Sequence, residues 1–273
     1  MSAGMGQSEI ALKVRELGAV QPWSQSICLP HGIETAPRDQ VSHGKNLVKW
    51  GRIRPLVEAV GVQGRVVLDV GCNEGYFSLA LAQMGARVIG IDADPNRIEK
   101  ARFVRQVLGA ENLRFECMNI YSDEFLSEVP EVDFSLCLGF LHRVPDPISA
   151  VSRLALKAKV VLFEWKALKY GPHDEPFACY TGSLSDGGVF GTQHWLMSVA
   201  CVEAMLRRAG FTRFHRVDDP SSRRAVLVAG RAPSPVFELP DRVLYRARWR
   251  TLLSHTKRYA LTLRKIIDGR LNA

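Results

Sequence analysis

Two short runs in this chain hold the residues best suited to bind a ligand. Val67–Phe77 reads V-L-D-V-G-C-N-E-G-Y-F, and residues 90–94 read G-I-D-A-D. Gly71 and Gly75 bracket a turn in which the backbone can bend sharply and approach a ligand closely. Asp92 follows Gly75 by 17 residues. A carboxylate at the end of a second strand can accept hydrogen bonds from both hydroxyls of a ribose. Two more groups suit proton transfer or orientation of a reactant. His142, in F-L-H-R-V-P-D-P, is of the side-chain type that titrates near neutrality, and it can also simply fix the shape of its loop. Glu164 closes the run V-V-L-F-E, where it can orient an acceptor or bond the backbone.

These residues need a frame that holds them on one edge, and the pattern supplies it. Arg65–Val70, Arg87–Ile91, Leu113–Cys117, Val132–Leu138 and Lys159–Trp165 are short apolar runs that read as buried strands. Helical spacing falls between them: Leu47 to Val60 ahead of the first strand, then Tyr76–Met84, a helix capped by Asp94 with Pro95 at its first position, and a helix from Pro147 to Leu156. Strands alternating with helices imply a parallel sheet covered on both faces. Ligands of such sheets bind beyond the carboxyl ends of the strands, where Asp69, Asp92, His142 and Glu164 fall. After Trp165 the pattern lapses from Lys166 to Met197; a loop of that length inside a domain is usually functional. Trp165, Tyr170, Tyr180 and Trp195 could wall an acceptor pocket there, and His173 and His194 lie in the same stretch. A helix from Val199 to Ala209 and strands at Phe211–Val217 and Ala225–Ala229 close the pattern.

A dinucleotide site would show G-x-G-x-x-G. The run G-C-N-E-G has Asn73 at the middle position. The motif instead resembles the acidic-x-G-x-G-x-G signature of class I S-adenosylmethionine (SAM) methyltransferases, with Asp69 as the acidic residue. The order of L-D-V-G-C-N-E-G-Y-F, G-I-D-A-D and F-L-H-R-V-P-D-P is similar to that family over roughly residues 45–230. The resemblance implies a Rossmann-like α/β fold with a seven-stranded, mostly parallel sheet. It implies SAM as cofactor, with Gly71, Cys72, Asn73 and Gly75 lining it and Asp69 near its amino acid end. Asp92 and Ala93 would lie at the ribose, Asn119 and Ile120 at the adenine, and Leu138 beside the methionine portion.

A narrower resemblance rests on P-W at Pro22–Trp23, K-W-G-R at Lys49–Arg52 and R-A-V-L-V-A at Arg224–Ala229. These are similar to the tRNA wobble-uridine carboxymethyltransferase and tRNA (mo5U34)-methyltransferase group. In that group a lysine shortly after P-W recognises the extra carboxylate of carboxy-SAM. Gln25 stands at that position here, and Leu141 replaces the tyrosine before the histidine. The resemblance therefore points to ordinary SAM and methyl transfer. F-S-L-A-L-A-Q-M-G-A also resembles the methyltransferase half of enzymes that cap O-antigen polysaccharides. The expected acceptor is a hydroxyl on a saccharide or other small molecule. Two other readings stay open: a tRNA wobble-uridine modifier, and a non-catalytic SAM-binding scaffold. Trp50, Arg52 and Arg54 could close over the cofactor.

Of 273 residues, 36 are Lys or Arg and 28 Asp or Glu, giving a net charge of +8. Residues 232–273 carry +6 of it, so the body is nearly neutral. That argues against a broad nucleic-acid face over the whole protein. Pro233–Pro240 reads as a linker and 241–271 as a basic amphipathic helix, suited to an anionic membrane surface, RNA phosphates or a partner protein. The expected division is an extension over 1–45, a methyltransferase domain over 46–231 and this tail. The six cysteines form no C-x-x-C and no zinc spacing, so no metal is expected and the thiols read as reduced. No apolar run reaches the ~18 residues of a membrane span, and the N-terminus shows no secretory h-region. The expected place is the cytoplasm, with the tail suited to hold it against the inner face of a membrane.

Overall fold

The computed structural model describes residues 5–36, 45–167, 175–180, 195–217 and 224–240. Five parallel strands form most of the main sheet: β1 Val66–Val70, β2 Arg87–Asp92, β3 Leu113–Cys117, β4 Val132–Leu138 and β5 Ala158–Lys166. Two short strands, β6 Ala178–Tyr180 and β7 Trp195–Met197, pair separately. The chain then adds β8 Arg213–Val217 and β9 Arg224–Gly230 to the main sheet. Its order is β3-β2-β1-β4-β5-β9-β8, with β9 antiparallel to both its neighbours. This is the seven-stranded, mostly parallel, Rossmann-like sheet expected from the sequence.

The helices are α1 Gln7–Val20, α2 Lys45–Val60, α3 Tyr76–Gln83, α4 Pro95–Leu108, α5 Asp123–Glu128, α6 Pro147–Ala155 and α7 Val199–Arg208. Asp94 caps α4 by accepting from Asn96 N at 3.0 Å, and Asp146 caps α6 by accepting from Ser149 N at 3.0 Å. Strand alternation divides the core between the two sheet faces. Val67 packs on one side with α1 to α4, and Leu68 on the other with α6 and α7. Each such buried aliphatic side chain contributes about 1.5–3 kcal/mol.

Several features depart from the sequence reading or go beyond it. The stretch 233–240 is not a free linker. It forms a 3-10 turn at Pro235–Glu238 whose Val236 is fully buried, and Phe237 lies against Gly230. The short α5 and the β6/β7 pair had no counterpart in the sequence pattern. Tyr170, His173, His194 and the expected basic helix at 241–271 lie outside the described residues. Among the described residues, no helix is long and apolar enough to cross a membrane, and no His/Cys/Asp/Glu group is placed to hold a metal.

Candidate functional site

A cleft of about 380 Å³ opens at the carboxyl ends of β1, β2 and β4, the position favoured for ligands in open parallel sheets. A larger hollow of about 760 Å³ lies between α1 and residues 32–36. It touches none of the strand ends and carries none of the chemistry above.

The loop between β1 and α3 builds one wall. Gly71 and Gly75 have φ of +70° and +90°, and Asn73 has φ of +57°. Asparagine tolerates the left-handed region better than most side chains, so Asn73 keeps a backbone that glycine would otherwise supply. Its carboxamide oxygen also accepts from the Ser24 hydroxyl at 3.0 Å and from Arg97. Gly75 answers to packing: a Cβ there would lie 2.4 Å from the Phe115 ring.

Three carboxylates stand at this end. Asp69 is 2% exposed and accepts from the Ser78 hydroxyl at 2.6 Å. Burial pushes its carboxyl up to about 7, against the lowering effect of Ser78. Asp92 Oδ2 accepts from Asn73 N and Oδ1 from Asp94 N, each at 3.0 Å. Burial raises its pKa too, opposed by those two backbone bonds. Asp94 Oδ2 accepts from Gln21 Nε2 at 2.9 Å.

Residues 21–25, within the expected N-terminal extension, roof the loop. Ser24 N donates to Glu74 Oε1 at 2.9 Å, and Gln25 Oε1 accepts from Tyr76 N at 3.0 Å. Lys100 is 1% exposed. It donates to the carbonyls of Gln21 and Pro22 and sits 3.9 Å from Glu74 and 5.1 Å from the Trp23 ring centroid. This segment is therefore fixed to α3, α4 and the glycine loop together.

The other end of the cleft is basic. Glu164 Oε2 lies 3.4 Å from Lys49 Nζ and 3.2 Å from Arg224 Nη1. Arg143 lines the same cavity. Burial holds Lys49 below its ordinary pKa, although Glu164 works the other way. Two residues that line this cavity each carry a buried side-chain atom with no partner in the protein, Asn46 Nδ2 and Gln21 Oε1. Such groups are rare unless a ligand or solvent completes them.

Of the residues expected at a cofactor, Asp69, Gly71, Asn73, Asp92, Ala93, Ile120 and Leu138 line the cleft. Three of the set lie off its surface. Cys72 is 1% exposed and packs in the core, Gly75 meets Phe115, and Asn119 turns back to accept from Tyr121 N at 3.0 Å. Met118, Phe140 and Val144 add apolar wall that the sequence reading did not single out. His142 is 1% exposed; its Nδ1 accepts from Lys166 N at 3.4 Å and its carbonyl from Trp195 N at 2.9 Å. Glu164 is also 1% exposed, beneath its two cations.

The other aromatic and basic candidates divide. Trp165 is a core residue with Nε1 bonded to Met197 O at 3.0 Å, and Tyr180 packs on Trp195 with ring centroids 5.1 Å apart. Trp50 packs on Phe77, Arg52 donates to Arg224 O at 3.3 Å, and Arg54 pairs with Glu58 on the surface.

Comparison with known proteins agrees with this geometry. Residues 62–162 match a family described as a methyltransferase domain. The ubiquinone biosynthesis O-methyltransferase of Pseudomonas fluorescens is 38% identical over 101 residues, covering 37% of this chain and 42% of that protein. The tRNA U34 carboxymethyltransferase of Aliarcobacter butzleri is 29% identical over 163 residues, covering 56% of this chain and 47% of that protein. The chain thus spans less than half the length of these curated relatives. Among solved structures, the SAH-bound N-terminal domain of EvdMO1 superposes with a TM-score of 0.68 at 22% identity, over 85% of this chain and all of that one. A SAM-dependent methyltransferase from Mesorhizobium loti gives a TM-score of 0.53 at 17% identity, over 68% of this chain and 100% of that one. These two share the fold.

Proposed function

We propose that this chain, whose residues 62–162 match a methyltransferase domain family, binds SAM in the cleft and methylates a hydroxyl of a saccharide or other small molecule. One observation carries the reading. A left-handed glycine–asparagine loop and the Asp92 carboxylate meet in one cleft at the strand ends.

The residues fit the cofactor's chemistry. Asp69 faces the cleft from β1, where a carboxylate can receive the ammonium. Asp92 stands at the end of β2 for the ribose hydroxyls, and Ala93, Met118 and Ile120 offer a largely apolar slot for the adenine. When bound, SAM supplies a methyl group activated by its sulfonium. The protein's part is alignment: holding nucleophile and methyl in line can supply much of the acceleration. The roof at 21–25 and the walls at Phe140 and Val144 keep water from the reacting centre. His142 and Glu164 act as positioning residues. His142 holds the β4 loop against Lys166 and Trp195, and Glu164 sets the spacing of Lys49 and Arg224.

The O-methyltransferase relative supports oxygen as the methyl acceptor. Incubating purified protein with methyl-radiolabelled SAM and pooled glycan, small-molecule and tRNA fractions should label the small-molecule or glycan pool. Label confined to tRNA would reverse the acceptor assignment, and no label in any pool would favour the scaffold reading.

The tRNA reading keeps one specific support. Lys49 and Arg224, from two of the stretches that resemble the carboxymethyltransferase group, line this one cleft, although Gln25 stands in it where that group has a lysine. Mass spectrometry of the co-purified cofactor separates the two: ordinary SAM or SAH is expected, and carboxy-SAM would favour the tRNA enzyme.

A further inference from the structure

The basic end of the cleft is larger than the internal ion pairing requires. Lys49, Arg143 and Arg224 reach it from α2, the loop after β4, and β9, and the carboxylate set among them is Glu164. Glu164 offers one oxygen, Oε2, to both Lys49 and Arg224. Among the described residues, the Arg143 guanidinium has no hydrogen-bond or carboxylate partner; its backbone N–H donates to Phe140 O at 2.8 Å. Its neighbours raise the cost of that state: loss of solvation, then the charges of Arg224 and Arg97, hold its guanidinium below its ordinary pKa.

Glycine shapes the spot where these groups meet. Gly139 has φ of +69°, and a Cβ placed on it would lie 3.6 Å from Arg224 Nη1 and 3.7 Å from Lys49 Nζ. Both cation tips therefore hang over bare backbone at the carboxyl end of β4. Asn46, one helical turn before Lys49, adds a buried amide donor with no partner in the protein. A guanidinium and an amide without acceptors, beside two cations that share one carboxylate oxygen, are what an anion completes.

The opposite end of the cleft is acidic, with Asp69, Asp92 and Asp94. β2 and β5 lie on opposite sides of β1 and β4 in the sheet. A nucleoside on Asp92 thus leaves the basic end, over β4, β5 and β9, to the second reactant.

We propose that the acceptor carries an anionic group, a carboxylate or a phosphate, and that Asn46, Lys49, Arg143 and Arg224 receive it above Gly139. The inference rests on the reading of the cleft as a SAM site. It deepens that reading by giving the acceptor a charge.

The test uses the full chain saturated with SAH. Inorganic phosphate and glucuronate are titrated into it by calorimetry, with glucose as the neutral counterpart. Both anions should bind saturably in the presence of SAH, and glucose should not. Arg143→Gln should weaken anion binding about tenfold, the loss of one charge-assisted hydrogen bond. Asn46→Ala should weaken it to a smaller degree. Both variants should keep wild-type SAH affinity and thermal stability.

If SAH displaces the anions, or if the variants lose SAH affinity in step, the cations hold the cofactor's own carboxylate and the proposal is overturned. Anion binding that ignores Arg143→Gln overturns it as well. Failure of SAH to bind the wild-type chain would strike at the SAM reading first. Titrating the anions into the ligand-free chain then judges the basic end separately: saturable binding sensitive to Arg143→Gln upholds it, and its absence removes it.

Discussion

Asn73 and Asp92 are locked to each other: the backbone N–H of Asn73 donates to Asp92 Oδ2 at 3.0 Å. The bond closes the glycine loop onto the end of β2, so one carboxylate both fixes the loop and faces the cleft. Its remaining lone pairs are the ones a ribose would use.

Asp92→Ala should therefore act twice, removing the ribose acceptor and releasing the loop. A charge-assisted hydrogen bond contributes about 1.5–3 kcal/mol, so SAM affinity should fall by at least tenfold. Calorimetry on the variant checks this, and an unchanged Kd would remove Asp92 from the site.

Asp69 makes SAM binding depend on pH. Its carboxyl, raised to about 7 by burial, holds a proton in mildly acidic solution. A cationic ligand prefers the carboxylate, so affinity should climb as pH rises towards 7, with proton release, and then level off. The effect on folding has the opposite sign. The folded pKa of about 7 exceeds the ordinary value of 3.8, so the folded state binds the extra proton between those values. Stability of the ligand-free chain loses that contribution as pH rises through this window. Asp69→Asn should flatten both profiles, read by calorimetry in buffers of different ionisation enthalpy and by thermal melts.

Gly75→Ala should destabilise the fold without touching any ligand group. The new methyl would sit 2.4 Å from Phe115 at a φ of +90°, combining overpacking with a disfavoured backbone. Each of these costs about 1–3 kcal/mol. A fall in Tm is expected, and a companion Phe115→Leu change should recover part of it by making room.

Lys100→Met should loosen the roof. The ammonium that binds the carbonyls of Gln21 and Pro22 is lost, at roughly 1.5–3 kcal/mol, and those carbonyls lose their donor. Limited proteolysis near residues 21–25 should become faster and the Kd for SAM should rise, while kcat at saturating SAM stays near wild type. A fall in kcat alone would contradict this role.

Much of the sheet was legible because β1, β4, β5 and β9 are short, largely apolar runs. Asp92, Gly71 and Asp69 were legible because their chemistry and their place after a strand agree. Cys72 was misplaced because residues of one loop alternate between cleft and core, and spacing does not say which way a side chain turns. Arg143 and Asn46 were missed because their role depends on neighbours far along the chain. The same holds for the roof, where Ser24 and Glu74 lie 50 positions apart. The short α5 left no signal because six residues carry too little periodicity to register.

The Lys49–Glu164–Arg224 bridge also has a consequence for assembly. β1, β2, β3 and β4 come from one continuous stretch of sequence, with β1 to β2 and β2 to β3 joined as neighbours and β4 returning to the far side of β1. The basic end cannot form until β9 has slipped between β5 and β8, which brings Arg224 back beside a helix that begins at Lys45. Contacts between distant residues carry a loop-closure penalty that local ones avoid. The half of the cleft proposed for the nucleoside can thus take shape early in folding, while the half proposed for the second reactant is completed by the final strands.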